Sequence, residues 1–161
     1  FGKYKGMTIE ELQYGVKTLK QTKHRLEIKC LGDKVIIDDS YNSNPVGCKM
    51  ALDVLNLMDG FKIVVTPGMI ELGEDEYELN KKFGEQISKV ADYVILVGKN
   101  RTKSIYDGLI KNNDKKFNVI LINDLKEAFK IIDNIKTKKK KYILLENDLP
   151  DIFNEREKKG I

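Results

Sequence analysis

Short, unbroken apolar runs return along this chain at intervals: FKIVVTP at 61–67, YVILVG at 93–98, FNVILIN at 117–123 and YILLEN at 142–147. Each is too short to cross a bilayer and too evenly apolar for a strand with one wet face, so each reads as a strand buried on both sides. Between them the period changes to that of helices. Leu79, Phe83, Ile87 and Val90 or Ala91 mark one helix, Ile105 and Leu109 within 102–111 a second, and Leu125, Phe129, Ile132 and Ile135 a third, with Asp124 and Glu127 as its cap. Buried strands alternating with helices mean βαβ units. The expected fold is therefore α/β: a Rossmann-like three-layer sandwich with a mostly parallel sheet.

The first part of the chain adds a different element. LEIKCL (26–31) and KVIID (34–38) are β-like runs separated by Gly32-Asp33, a two-residue turn that favours a hairpin. This brings the sheet to six strands, one of them antiparallel. Ahead of the hairpin, Thr8 and Glu11 are spaced as a capping box, with Leu12, Val16 and Leu19 on one face of a short helix over 8–20. After it, Val46, Met50, Val54 and Met58 recur every fourth residue with Ala51 and Leu55 beside them, which predicts a helix with that buried stripe. A short last helix is expected over 150–158.

With 161 residues, 41% apolar and 34% charged, the chain has room for one ordinary domain and a short appended segment. The net charge is +4, and five lysines fall between Lys136 and Lys141 (KTKKKK). No aromatic or arginine is interleaved there, so a solvated loop is favoured over a nucleic-acid patch. Cys30 and Cys48 form no C-x-x-C, and His24 is the only histidine. That speaks against a disulfide or a zinc site and for a reducing cytoplasm. No apolar run spans a membrane, and no GxGxxG or GxxxxGK[ST] is present. The N-terminal FGKYKGMTIEEL has no initiator Met and reads as continuing from something longer.

In parallel α/β sheets ligands collect beyond the carboxyl ends of the strands. At one such end stands VIIDDSYNSNP, 35–45, with an uninterrupted polar row from Asp38 to Asn44. Asn44 and Pro45 are explained as N-cap and first helical residue. Asp39 remains as a carboxylate able to accept from paired hydroxyls such as those of a ribose, Tyr41 offers a ring face, and Asn42 a donor and an acceptor. A second constellation, GMIELGED at 68–75, follows the next strand with glycines bracketing Glu71; alone, it reads best as a loop entering a helix whose N-terminus favours acidic residues. A third, LLENDLPD at 144–151, gathers Glu146, Asn147, Asp148 and Asp151 around Pro150 and is better explained as a helix start than as a metal site. His24 reads as surface, and Arg25 matters only if a phosphate comes to meet it.

Taken together, HRLE at 24–27, the Gly-Asp turn, IIDDSYNSNP with GCKMALDVL, and VVTPGMIELGEDEYELNKKFGEQI resemble the C-terminal domain of the Mur ligases. The resemblance is nearest to the branch that adds D-alanyl-D-alanine to the UDP-N-acetylmuramoyl tripeptide in peptidoglycan precursor synthesis. It implies three domains: one for the UDP-sugar, a central P-loop ATPase, and a Rossmann-like domain that closes over the nucleotide. On this view residues 1–22 are the tail of the central domain or a linker, and 23–161 the C-terminal domain. The implied reaction is ATP-dependent amide formation through an acyl phosphate, with the P-loop lysine and the Mg2+ ligands outside this chain, which alone is expected to be inactive.

Carried over by position, the resemblance assigns Arg25 to the nucleotide phosphates and Asp39 to the ATP ribose, with Tyr41, Asn42 and Asn44 lining the adenine and ribose side. It assigns Gly68, Met69, Glu71, Leu72 and Gly73 to a loop beside the incoming dipeptide. It implies no metal ligand and no catalytic residue here, and no nucleic-acid or membrane partner. Two positions depart: Asn80 stands where the family commonly has His, and LENDLPD at 145–151 replaces a K-G-S-R type segment. The rival readings are a free-standing Rossmann-like module that binds a nucleotide or a protein without chemistry, and a basic nucleic-acid binder built on KTKKKK.

Overall fold

The computed structural model describes residues 1–20, 22–41, 43–111 and 118–147. Helix α1 (Ile9–Thr18) opens on the expected box: the Thr8 hydroxyl accepts from Glu11 N at 3.2 Å and the Glu11 carboxylate accepts from Thr8 N at 2.8 Å. The hairpin follows as β1 (Glu27–Leu31) and β2 (Lys34–Asp39), then α2 (Pro45–Asn56), β3 (Phe61–Thr66), a 3-10 turn at Gly73–Asp75, and α3 (Glu76–Val90). The remaining elements are β4 (Tyr93–Val97), α4 (Lys103–Lys111), β5 (Asn118–Ile122), α5 (Leu125–Asn134) and β6 (Lys141–Glu146). The last helix expected from the sequence, over 150–158, lies outside the described residues.

The strands form one six-stranded sheet in the order β1-β2-β6-β3-β4-β5, with β1 antiparallel to β2 and every other pair parallel. The chain steps outward from β3 to β4 to β5 and then returns to place β6 between β2 and β3. Crossovers between parallel strands are right-handed, so reversing direction moves the connecting helix to the other face. The core divides accordingly. Residues of α2, α3 and α4 pack with Ile37, Val64, Val94, Leu96 and Leu144 on one side, while Ala128 and Ile132 of α5 pack with Ile36, Ile63, Val65, Ile95 and Ile143 on the other. This is the three-layer sandwich that the strand and helix periods imply.

Helices α3 and α4 approach unusually closely. A Cβ on Gly84 would lie 2.1 Å from the Ile105 carbonyl oxygen, and one on Gly108 only 1.9 Å from that of Lys81. Glycine at both contact points lets the two backbones touch.

One expectation about packing is corrected. The buried residues of α2 are Cys48, Ala51, Leu52 and Leu55, whereas Val46 and Met50 of the expected stripe are 69% and 57% exposed. Apolar residues surround most of this helix, so period alone does not choose the inward face. The Asn44 cap and the short link from β2 do. Phe129 of α5 is likewise partly exposed, the inward positions going to Ala128 and Ile132. In α1 no residue is buried, and Val16 and Leu19 are largely exposed. Among the described residues no helix is long and apolar enough to cross a membrane.

Candidate functional site

The polar row after Ile37 divides into two sets with different surroundings. Asp38 is buried, and its carboxylate accepts from Lys29 Nζ at 2.6 Å and the Ser40 hydroxyl at 2.6 Å, with His24 Nδ1 at 3.0 Å. Burial alone would raise its pKa, but the Lys29 and Ser40 bonds outweigh that and hold the group below the usual carboxylate value. His24, Glu27 and Asp38 are spaced so that a metal ion could be held. The Lys29 ammonium already lies 3.1 Å from Glu27 and 2.6 Å from Asp38, so the cation of this cluster is a lysine.

Asp39 faces the opposite side of the sheet, half-buried at the carboxyl end of β2. Its Oδ1 accepts from Leu26 N at 3.0 Å. Burial pushes its pKa up, opposed by the Leu26 bond and the nearby Arg25 charge. Arg25 stacks on the exposed Tyr41 ring, 4.4 Å from guanidinium carbon to ring centroid, and Tyr41 N donates to His24 O at 3.3 Å. Both His24 and Leu26, either side of Arg25, have left-handed φ values of 59° and 49°. The entrance to the hairpin is thus a bent segment tied back onto the end of β2, with Arg25, Asp39 and Tyr41 brought together. Asn44 is used as the α2 N-cap, its Oδ1 accepting from Val46 N at 3.1 Å and Gly47 N at 2.9 Å. Asn42 lies outside the described residues.

The loop after β3 begins at a glycine that the backbone requires. Gly68 has φ 87°, and a Cβ there would fall 2.9 Å from Asn80 Oδ1. Buried Asn80 grips the following residue from both ends: its Oδ1 accepts from Met69 N at 2.8 Å and its Nδ2 donates to Met69 O at 2.9 Å. The Met69 side chain is 1% exposed and belongs to the core, and Leu72 packs partly against the same cluster. Of the loop residues singled out from the sequence, Glu71 and Gly73 are the exposed ones, and both have left-handed φ, 60° and 61°. On one side of the loop a cavity of about 230 Å³ lies between α2 and α3, lined by Val46, Lys49, Met69, Lys82 and Phe83. On the other an open cleft of about 520 Å³ runs between Gly73, Tyr77 and Arg101, Lys103.

The residues joining these two loops were expected from the sequence at the carboxyl end of a strand, with helix-start chemistry favoured over a metal site. Glu146 pairs in register with Asp39 across β2 and β6 and is fully buried. Its Oε1 accepts from the Ser43 hydroxyl, and its Oε2 has no hydrogen-bond partner, the Cys48 thiol lying near it. Burial pushes the Glu146 carboxyl up to about 7, and burial together with this carboxyl also raises the Cys48 thiol. Asn147, 1% exposed with φ 70°, accepts on Oδ1 from Ser43 N at 3.2 Å and donates from Nδ2 to Gly68 O. The polar pair Glu146-Asn147 straight after the apolar run YILL was the available signal. Asp148 and Asp151 of the same segment lie outside the described residues.

Arg25, Asp39 and Asn44 at the end of β2, the loop after β3, and Glu146-Asn147 at the end of β6 therefore converge where β6 is inserted between its neighbours. This is the switch in strand order at which parallel α/β sheets bind ligands.

Known proteins share this fold. The family profile described as "Mur ligase, glutamate ligase domain" matches residues 24–145. The UDP-N-acetylmuramoyl-tripeptide--D-alanyl-D-alanine ligase of Bacillus subtilis is 35% identical over 118 residues, which is 71% of this chain and 26% of that protein. The enzyme of the same name from Buchnera aphidicola of Acyrthosiphon pisum is 30% identical over 161 residues, 94% of this chain and 34% of that protein. The chain thus spans about a quarter to a third of these relatives. Among solved structures, MurF of Acinetobacter baumannii superposes with a TM-score of 0.73 at 21% identity, over 97% of this chain and 34% of that one. MurF ligase of Thermotoga maritima, solved in complex with ADP, superposes with a TM-score of 0.71 at 23% identity, over 96% of this chain and 34% of that one. At these identities the structures establish the fold, and the sequence profile, spanning three quarters of the chain, establishes the kinship: the chain belongs to the Mur ligase family through its glutamate ligase domain.

Proposed function

We propose that this chain is the closing domain of an ATP-dependent amide ligase that joins D-alanyl-D-alanine to UDP-N-acetylmuramoyl tripeptide in peptidoglycan precursor synthesis, acting in the cytoplasm. The observation that carries the reading is the convergence of a nucleotide-type loop and an acceptor-type loop at one strand-order switch, in a chain whose relatives bear that enzyme's name.

The groups present fit a nucleoside. Asp39 has one carboxylate oxygen on Leu26 N, leaving the other for a ribose hydroxyl, and the exposed Tyr41 ring offers a face to a base. Arg25, exposed and carried on the bent segment, would turn from Tyr41 to a phosphate, and the family resemblance assigns Asn42 and Asn44 to the same nucleotide. When bound, ATP supplies the phosphoryl group that activates the tripeptide carboxylate as an acyl phosphate, with Mg2+ held mainly by a preceding domain. The acceptor amine would be brought by the loop Gly68, Met69, Glu71, Leu72 and Gly73. Met69 and Leu72 anchor it from inside, Gly73 lines the open cleft, and Glu71 is exposed to solvent. Closing this face onto the other domains keeps water from the activated carboxylate. Residues 1–22 then belong to the central domain or its linker, and the exposed apolar side of α1 would rest against it.

The test is phosphate release by the full-length protein given ATP, the UDP-tripeptide and D-alanyl-D-alanine. Asp39→Ala should raise the Michaelis constant for ATP about tenfold, the loss of a charge-assisted hydrogen bond of about 1.5 kcal/mol. An unchanged constant removes Asp39 from the site, and no turnover with that acceptor removes the proposed reaction.

A further inference from the structure

We propose that Asn147 is a positioning residue that couples the nucleotide-side loop to the acceptor-side loop, so that a ligand on either one strengthens binding on the other. The inference rests on the function proposed above and concerns regulation of that same site.

Strand β6 is the one strand hydrogen-bonded to both β2 and β3, so the residue that leaves it passes between the ends of both. Asn147 is that residue. Its backbone N–H donates to Asp39 O at 3.2 Å, extending the ladder with β2 to the residue proposed to hold the ribose. Its Oδ1 accepts from Ser43 N at 3.2 Å, within the loop between β2 and α2, and its Nδ2 donates to Gly68 O at the start of the loop after β3. One amide thus spans both loops. Its orientation is not free: turned over, Nδ2 would meet the Ser43 N–H and Oδ1 the Gly68 carbonyl, donor against donor and acceptor against acceptor.

The left-handed backbone, φ 70°, aims the side chain across the strand ends instead of along them, and Asn and Gly are the residues that adopt this conformation most readily. At 1% exposure no water competes for the two bonds. A shift of Ser43 toward a bound nucleotide must therefore pull or release Gly68, and the reverse holds equally, because coupling between two binding events is reciprocal. The next residue of the acceptor loop is held separately, by Asn80 on both polar atoms of Met69. Loss of the Asn147 side chain therefore frees one end of the loop without unseating it.

The experiment uses the full-length protein and calorimetric titration with a non-hydrolysable ATP analogue and with D-alanyl-D-alanine, each alone and each in the presence of the other. In the wild type each ligand should tighten the other by about fivefold or more. Asn147→Gly keeps the left-handed backbone at ease and should bring that factor to about one. Asn147→Asp keeps the acceptor for Ser43 N but sets a carboxylate against Gly68 O, so it should weaken the dipeptide about tenfold and leave the nucleotide nearly unchanged. A merely structural amide would lower both affinities together with the melting temperature and produce no such split. An unchanged coupling factor in Asn147→Gly, or no coupling in the wild type, overturns the inference alone. Absence of dipeptide binding in the wild type overturns the inference together with the function on which it rests.

Discussion

Replacing Glu146 with glutamine keeps the shape of the side chain and the acceptor for the Ser43 hydroxyl while removing one titration from the interior. In the folded chain burial raises this carboxyl from an ordinary 4.5 to about 7. The sign follows from proton counting. Between those values the folded state keeps the proton and the unfolded state has lost it, so each step up in pH favours unfolding. The stabilisation is fully present below pH 4.5, falls across the interval, and is gone above about 7. At about 1.4 kcal/mol per pH unit the interval is worth about 3 kcal/mol.

Asp39 is also raised and adds in the same direction, while Asp38 and Glu27, held below their ordinary values, titrate at more acid pH and leave the window clear. The assay is urea unfolding of the 161-residue chain followed by far-ultraviolet circular dichroism at pH 4.5, 6 and 8. Contributions shared by the two chains cancel in the difference. Against its own value at pH 4.5, Glu146→Gln should gain about 3 kcal/mol on the wild type by pH 8. Parallel pH profiles, or a wild type that gains on the variant toward pH 8, would refute a neutral, buried carboxyl at the end of β6.

Three further changes test the packing around the site. Gly108→Ala drives a Cβ to 1.9 Å from the Lys81 carbonyl, so α4 must move off α3 and stability should fall by about 3 kcal/mol in urea titration. Asn80→Ala leaves the buried N–H and carbonyl of Met69 without partners, and a loss of about 3 kcal/mol is expected from the same measurement. Glu71→Gly relieves a left-handed φ of 60° on an exposed residue and should raise stability by about 1 kcal/mol. If it also weakens the dipeptide in the full-length enzyme, the strained Glu71 serves binding.

Much of the architecture is legible without coordinates, because the signals behind it are local. The apolar runs at 63–65, 93–97 and 142–145 demand burial on both faces whatever surrounds them. The capping box of α1, the Asp124 cap of α5 and the Gly-Asp turn specify backbone conformations from adjacent residues alone. The resemblance that marks Arg25, Asp39 and the 68–73 loop is carried by the order of short motifs, again a property of the chain. What α2 turns inward was not legible: with apolar residues on most sides, its rotation is settled by the cap at Asn44 and by the sheet it lies on.

The same limit explains the site. Sequence places Asp39, Gly68 and Glu146 each at the end of a strand, but their nearness depends on β6 entering between β2 and β3, a long-range choice governed by crossover handedness and sheet order. Two carboxyls 107 positions apart become register neighbours by that choice alone, and burial there pushes the Glu146 carboxyl up to about 7, above that of an ordinary surface acid. Asn147 and Asn80 look like loop and helix residues in the linear text, and both become braces of the loop after β3 only when Ser43, Gly68 and Met69 are folded against them. Residue types and their spacing determined which strands, helices and turns exist. The tertiary structure decided which polar groups lose their water together, and that shared desolvation turns separate strand ends into one site.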